Sequence, residues 1–185
     1  MLHEEVDCAA FSGMEFTLAF LARDRYEWSP RAIGGMFVHV GLTLALVQGG
    51  LVRRLAPKYG EKKVALTGVV IVTAGLIGIA VDESLLVFWL SVTTLAVGSG
   101  FTFPTLSALV SLHASEAEQG EALGIFRALG ALARVFGPFA AAVLYWRYGA
   151  EVPYWAGAAF LIVPFLLISM IPTPPKSPEP AAATE

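Results

Sequence analysis

"LLVFWLSVTTLAVGSGFTFPTLSALVSL", residues 85–112, runs for 28 residues without a charge. A hydrocarbon core about 30 Å thick needs roughly 20 apolar residues of helix, so this stretch is long enough to cross with tilt or a kink. Working outward, 64–81 and 154–171 each give 18 uncharged residues. The stretch 33–52 gives 20, with His39 and Gln48 as its interruptions, and 122–146 gives 25 but contains Arg127 and Arg134. The first candidate, 8–22, has 15 residues and contains Glu15. At 1.5 Å per residue it reaches about 22 Å, which is short for a crossing, and it reads as a helix whose beginning is missing. The pattern predicts an all-α integral membrane protein with six transmembrane helices within residues 1–171. The proline- and alanine-rich tail at 172–185 is expected to be disordered.

Composition points the same way. Of 185 residues, 56% are hydrophobic and 15% charged, with a mean hydropathy of +0.68, against about 25% charged in soluble domains. The charges cluster between the apolar runs, as in a membrane protein rather than a soluble one with a large core. A net charge of −3, with no basic face interleaved with aromatics, argues against nucleic acid as a partner. The single cysteine, Cys8, excludes a disulfide framework and a thiolate zinc site. His3, His39 and His113 are too scattered for a metal-ligand motif, so neither a metal nor a cofactor is expected. The acidic start lacks the basic region of a secretory signal peptide. No paired aspartates or serine–histidine constellation lies within the spans, so the chain does not read as an enzyme.

Orientation follows from lysine and arginine, which mark the cytoplasmic loops. The stretch "RRLAPKYGEKK", residues 53–63, holds five, and the tail adds Lys176. The opposite loops hold Arg23, Arg25, Arg31 and Arg147. Both termini are therefore placed inside.

The ionisable residues within the spans carry the functional question. Arg134 has twelve residues before it and twelve after it in 122–146, with no acid among them, which puts it near the bilayer midplane. Glu15 lies seven residues, about 10 Å, from the outer end of its span, and His39 six residues, about 9 Å, from its own. All three are close in depth. A lone charge at the bilayer centre costs at least about 2.5–3.5 kcal/mol, which an acid beside Arg134 would offset. At 100° per residue Arg127, Ala131, Arg134, Pro138 and Ala141 share one stripe, with Gly130 and Gly137 at its edge. Leu129, Leu132, Phe136, Phe139 and Val143 lie opposite, suited to lipid. Arg134 is thus expected to point inward, toward Glu15 or an anionic substrate; tying helices together through backbone carbonyls is the structural alternative. Arg127 is close enough to the cytoplasmic end to snorkel. Glu15 reads as a structural partner or a proton carrier, and His39 as a helix–helix hydrogen bond or a proton relay.

Small residues and prolines mark a second set of positions. In "AVGSGFTFPTLSAL", residues 96–109, Gly98, Gly100, Thr102 and Pro104 either line a cavity or let helices pack closely. Gly137-Pro138 is expected to kink the fifth span.

Six helices, a basic loop after the second and a Gly-Pro late in the fifth resemble the C-terminal half of a major facilitator superfamily transporter. The run Gly50-Leu51-Val52-Arg53-Arg54-Leu55, resumed at Tyr59-Gly60-Glu61-Lys62-Lys63, is similar to the superfamily's cytoplasmic loop signature. It departs from the signature in two ways: Arg53 stands where an acid is usual, and Ala56-Pro57-Lys58 is inserted. "FSGMEFTLAFL" (11–21), "MFVHVGLTLALVQGG" (36–50) and "LGALARVFGP" (129–138) resemble the tetracycline-transporter-like, organic-anion-transporting branch found in animals.

The resemblance implies a twelve-helix fold in two pseudo-symmetric halves around a central cavity, of which this chain supplies helices seven to twelve as a fragment. It implies alternating-access transport of small organic solutes, with organic anions as substrates. The lipid bilayer and a missing N-terminal six-helix half are the implied partners. The plasma membrane is the expected location, with an intracellular membrane as the alternative. A reading from another class stays open at this stage: a non-transporting assembly subunit or an inactive truncated fragment.

Overall fold

The computed structural model describes residues 17–81, 84–115 and 117–172. Helix α1 covers 17–26; most of the expected first span, with Glu15, lies outside the described residues, as does the tail from 173. The chain continues as α2 (Pro30–Leu46), a π-helical turn (Val47–Val52), α3 (Arg53–Tyr59), α4 (Glu61–Ala80) and α5 (Leu85–His113). It ends with α6 (Gln119–Tyr148), α7 (Val152–Phe160) and α8 (Ile162–Met170). Among the described residues, five stretches are long and apolar enough to cross a membrane: Pro30–Tyr59, Glu61–Ala80, Leu85–His113, Gln119–Tyr148 and Val152–Met170.

Local chemistry sets the helix ends. Ser29 caps α2 by accepting the Ala32 N–H at 3.3 Å, with Pro30 supplying the preset first turn. Ser84 does the same for α5 through the Val87 N–H at 3.3 Å. Gly60, at φ +85°, ends α3 and opens α4, a backbone state that costs little only without a Cβ. The basic stretch 53–63 is therefore almost wholly helical rather than a loop, and Gly60 is its one break. Counting apolar residues stops a span at its first charges, but the backbone hydrogen bonds continue past Arg53 into water. The last span divides at Leu161, where Pro164 has no N–H to offer the carbonyl of Phe160 four residues earlier.

The two ends of the bundle are tied differently. At the end where α1 stops and α2 starts, the Tyr145 hydroxyl donates to Asp24 Oδ2 at 2.7 Å. Beside it, Arg25 Nη2 donates to Glu151 Oε1 at 3.0 Å. Tyr26, Trp28, Phe88 and Trp89 stack there in an aromatic cluster, with the Tyr26 and Phe88 centroids 5.1 Å apart. At the opposite, basic end, Lys62 Nζ donates to the carbonyls of Ser169 at 2.8 Å and Ile171 at 2.5 Å. A cation thereby satisfies carbonyls that α8 leaves bare at its negative end.

Helices α4 and α5 share the most extensive interface, and small residues make it possible. A Cβ added to Gly98 would stand 2.5 Å from the Val72 backbone nitrogen, so the two backbones are in direct contact. The core around this seam holds Leu18 and Leu21 of α1, Met36 of α2, Leu76 and Ile79 of α4, Phe88 and Val92 of α5, and Tyr154 of α7. Outside it, Val38, Leu42 and Leu46 of α2 and Leu132, Phe136 and Phe139 of α6 are exposed. In a lipid phase that distribution is the stable one.

Candidate functional site

His39 has the most fully defined surroundings of the polar groups within the spans. It is half-buried on α2, with Nε2 2.9 Å from Thr93 Oγ1 on α5. The Thr93 hydroxyl has one hydrogen, and it goes to the Trp89 carbonyl at 2.7 Å. With that hydrogen committed, Thr93 Oγ1 accepts from His39 in the tautomer that carries its proton on Nε2. The Trp89 ring stands edge-on to the imidazole, centroids 5.3 Å apart at 89°, and fixes its plane. The Thr43 hydroxyl returns to the His39 carbonyl at 2.9 Å. The contact is a hydrogen bond between α2 and α5.

This arrangement gives a sharp expectation. Thr93→Val keeps the shape but removes the acceptor, leaving the imidazole N–H unpaired at a cost of about 1–3 kcal/mol. Thr93→Ser should retain most of the stability. Thermal unfolding of the two variants checks this, and equal melting temperatures would show that the pair does not hold the helices together.

Arg134 lies on α6 with fifteen helical residues before it and fourteen after it. It is exposed on the surface of the described bundle, and it is not without a partner. Pro138 has no N–H to give the Arg134 carbonyl, so the helix is weakened at that point. The face of α6 buried against the rest of the bundle is Gly130, Ala133, Gly137 and Tyr145. Arg127, Ala131 and Arg134 are exposed and Pro138 is half-buried. The smallest residues take the seam because they allow the closest approach, and the charged stripe sits beside it rather than within it. The pairing of Glu15 with Arg134 lies outside the described residues.

Of the cavity candidates, Gly98, Gly100 and Thr102 are buried between helices of this bundle. Gly98 faces α4, and Gly100 faces Val47 of the π turn. The Thr102 hydroxyl donates to the Gly98 carbonyl at 2.9 Å. Pro104 is half-buried. Among the signature residues, Gly50, Arg53, Arg54 and Lys63 are exposed, Gly60 makes the turn, and Lys62 caps α8. Thr93, Trp89, Asp24 and Tyr145 had no sequence signal of their own; Thr93 sits 54 positions from His39 and Tyr145 sits 121 from Asp24.

Comparison with known proteins then places the chain. The profile of the Major Facilitator Superfamily matches residues 7–185. The chain belongs to that superfamily. It is similar to major facilitator superfamily domain-containing protein 10 of Mus musculus, with 37% identity over 175 residues. That match takes in 90% of this chain and 36% of the relative. The Homo sapiens protein of the same name is 33% identical over 167 residues, with the same two coverages. The class E tetracycline resistance protein of Escherichia coli is 31% identical over 139 residues, covering 75% of this chain and 33% of that one. The crystal structure of the human organic anion transporter MFSD10 (TETRAN) superposes with a TM-score of 0.85 at 33% identity. It matches 90% of this chain and 39% of its own. This major facilitator chain thus spans little more than a third of the length of these relatives, and they include both kinds of protein that the branch resemblance names.

Proposed function

We propose that this chain is the C-terminal six-helix half of a secondary transporter for small organic anions. It works by alternating access, rocking against an N-terminal half, in a plasma membrane with both termini inside. The observation that carries the proposal is Arg134, a permanent cation at the middle of a membrane-spanning helix on a face its own bundle leaves exposed. A guanidinium keeps its positive charge at that depth, so an anion entering between the halves would meet charge of the opposite sign. His39 completes the reading as a proton relay, with Thr93 as its anchor. Glu15 is the second candidate for the coupling proton. Likeness to a human protein described as an organic anion transporter supports the choice of substrate class.

Reconstitution tests the half reading. Liposomes holding the chain together with an N-terminal half should take up a labelled organic anion in a saturable way. Liposomes holding the chain by itself should match empty ones, because one wall of the cavity is then lipid. Saturable uptake by the chain on its own would mean that copies of it pair into a working carrier, and the half reading would be lost.

A further inference from the structure

The basic end of the bundle contains a cavity lined by neither Arg134 nor His39. Its volume is about 340 Å³, and it is lined by Leu55 and Tyr59 of α3, Lys63, Val64 and Thr67 of α4, and Phe101 of α5. Tyr59, Lys63 and Thr67 form its exposed walls, while Val64 and Phe101 are buried. Thr67 is six residues into α4, about 9 Å from its start, and Phe101 stands level with it, since a Cβ added to the neighbouring Gly68 would meet the Phe101 Cβ at 3.0 Å. The cavity therefore runs from headgroup level into the depth of acyl chains.

Charge decides what fits it. Lys63 lines the mouth, and Arg53, Arg54, Lys58 and Lys62 share its stretch, 53–63, against the one acid Glu61. Lys62 is committed to the end of α8, but Arg53, Arg54, Lys58 and Lys63 are exposed. Lys58 Nζ stands 5.1 Å from the centre of the Tyr59 ring, which brings a second ammonium to the mouth beside Lys63. The Thr67 hydroxyl gives its hydrogen to the Lys63 carbonyl at 2.9 Å and so closes the polar rim. A soluble anion would use the cations and leave the apolar floor empty. A zwitterionic lipid would fill the floor and bring no net charge to the cations.

We propose that this cavity binds one anionic phospholipid, its phosphate at Lys63, Lys58 and the Tyr59 hydroxyl and one acyl chain along Leu55, Val64 and Phe101. Basic pockets between helices on the cytoplasmic side are suited to such headgroups. The site is independent of the transport reading, since lipid binding is measured without any gradient.

The test uses the full 185-residue chain in detergent and phosphatidylserine carrying a fluorescent acyl chain. Unlabelled phosphatidylserine should displace the probe at least tenfold better than phosphatidylcholine, and glycerophosphoserine, which has no chains, should fail to displace it. Lys63→Gln should weaken binding roughly fivefold, the share of one surface lysine. Thr67→Trp, which narrows the mouth with an exposed side chain, should weaken it at least as much with unchanged helicity by circular dichroism. Equal displacement by phosphatidylcholine, or unchanged binding in Lys63→Gln, overturns the proposal. Displacement by glycerophosphoserine reassigns the site to a soluble anion, and loss of the probe on adding an N-terminal half reassigns it to protein; either result also overturns it.

Discussion

Arg134→Ala, made in a complete transporter containing this chain, is expected to lower uptake of an organic anion by about 10- to 100-fold. That range corresponds to the loss of one hydrogen bond to a charged group, about 1.5–3 kcal/mol. Arg127→Ala is expected to change uptake by less than about twofold. The contrast rests on depth and direction. Arg127 is eight residues into α6, about 12 Å from its start, and its side chain leans back toward the N-terminal, basic end, where it can reach water. Arg134 is at the middle of the helix, about 22 Å from its start, beyond the reach of either surface.

The same experiment separates two roles for Arg134. If Glu15 is its partner, removing the arginine strands a carboxylate in the membrane, and thermal stability falls together with uptake. The double change Glu15→Gln with Arg134→Gln should then recover stability but not transport. If Arg134 meets the substrate directly, the single variant should melt normally and lose anion affinity. Melting temperature and uptake, measured on both singles and the double, decide between them. Wild-type uptake by Arg134→Ala would remove both versions and the proposed substrate class with them.

Gly75→Leu should destabilise the bundle by about 1–3 kcal/mol, the usual cost of overpacking a closed interior. A Cβ at Gly75 would meet the backbone nitrogen of Leu95 at 2.7 Å and its Cα at 2.8 Å. Backbone atoms cannot swing aside as a side-chain end can, so α4 and α5 must separate and lose the seam that the rest of the core packs around. Gly34→Leu is the matched control: an added Cβ there meets nothing within 4 Å, and its stability should stay within about 0.5 kcal/mol of wild type. Equal losses from the two substitutions would mean that the α4–α5 seam is not where stability is concentrated. Uptake by Gly34→Leu is worth recording beside its stability, since an open glycine on α2 is free to face whatever packs against this bundle.

The amino-acid sequence was enough for the all-helical membrane class. A 28-residue uncharged run has few alternatives, because every backbone polar group in lipid must find its partner within the chain. The superfamily was legible too, in the basic stretch around Gly60 and in the three segments of the branch. Where the helices end was less legible. Residues 53–59 read as loop by charge and form α3 by hydrogen bonding, since charge reports the boundary of lipid and not the boundary of helix. Polar pairs were not legible at all. His39 with Thr93, Asp24 with Tyr145, and Lys62 with Ser169 join positions 54, 121 and 107 residues apart, and no periodicity within one helix reports on its neighbour. The role of the small residues was likewise undecided, because Gly98, Gly100 and Thr102 suit both a cavity wall and a close seam. Tertiary structure put Gly98 in the α4–α5 seam, where a missing Cβ lets two backbones touch, and set Gly100 against Val47 of the π turn. Tertiary structure also left Arg134 exposed beside the buried face of α6 rather than within it, because a guanidinium does not fit where Gly130, Ala133 and Gly137 pack.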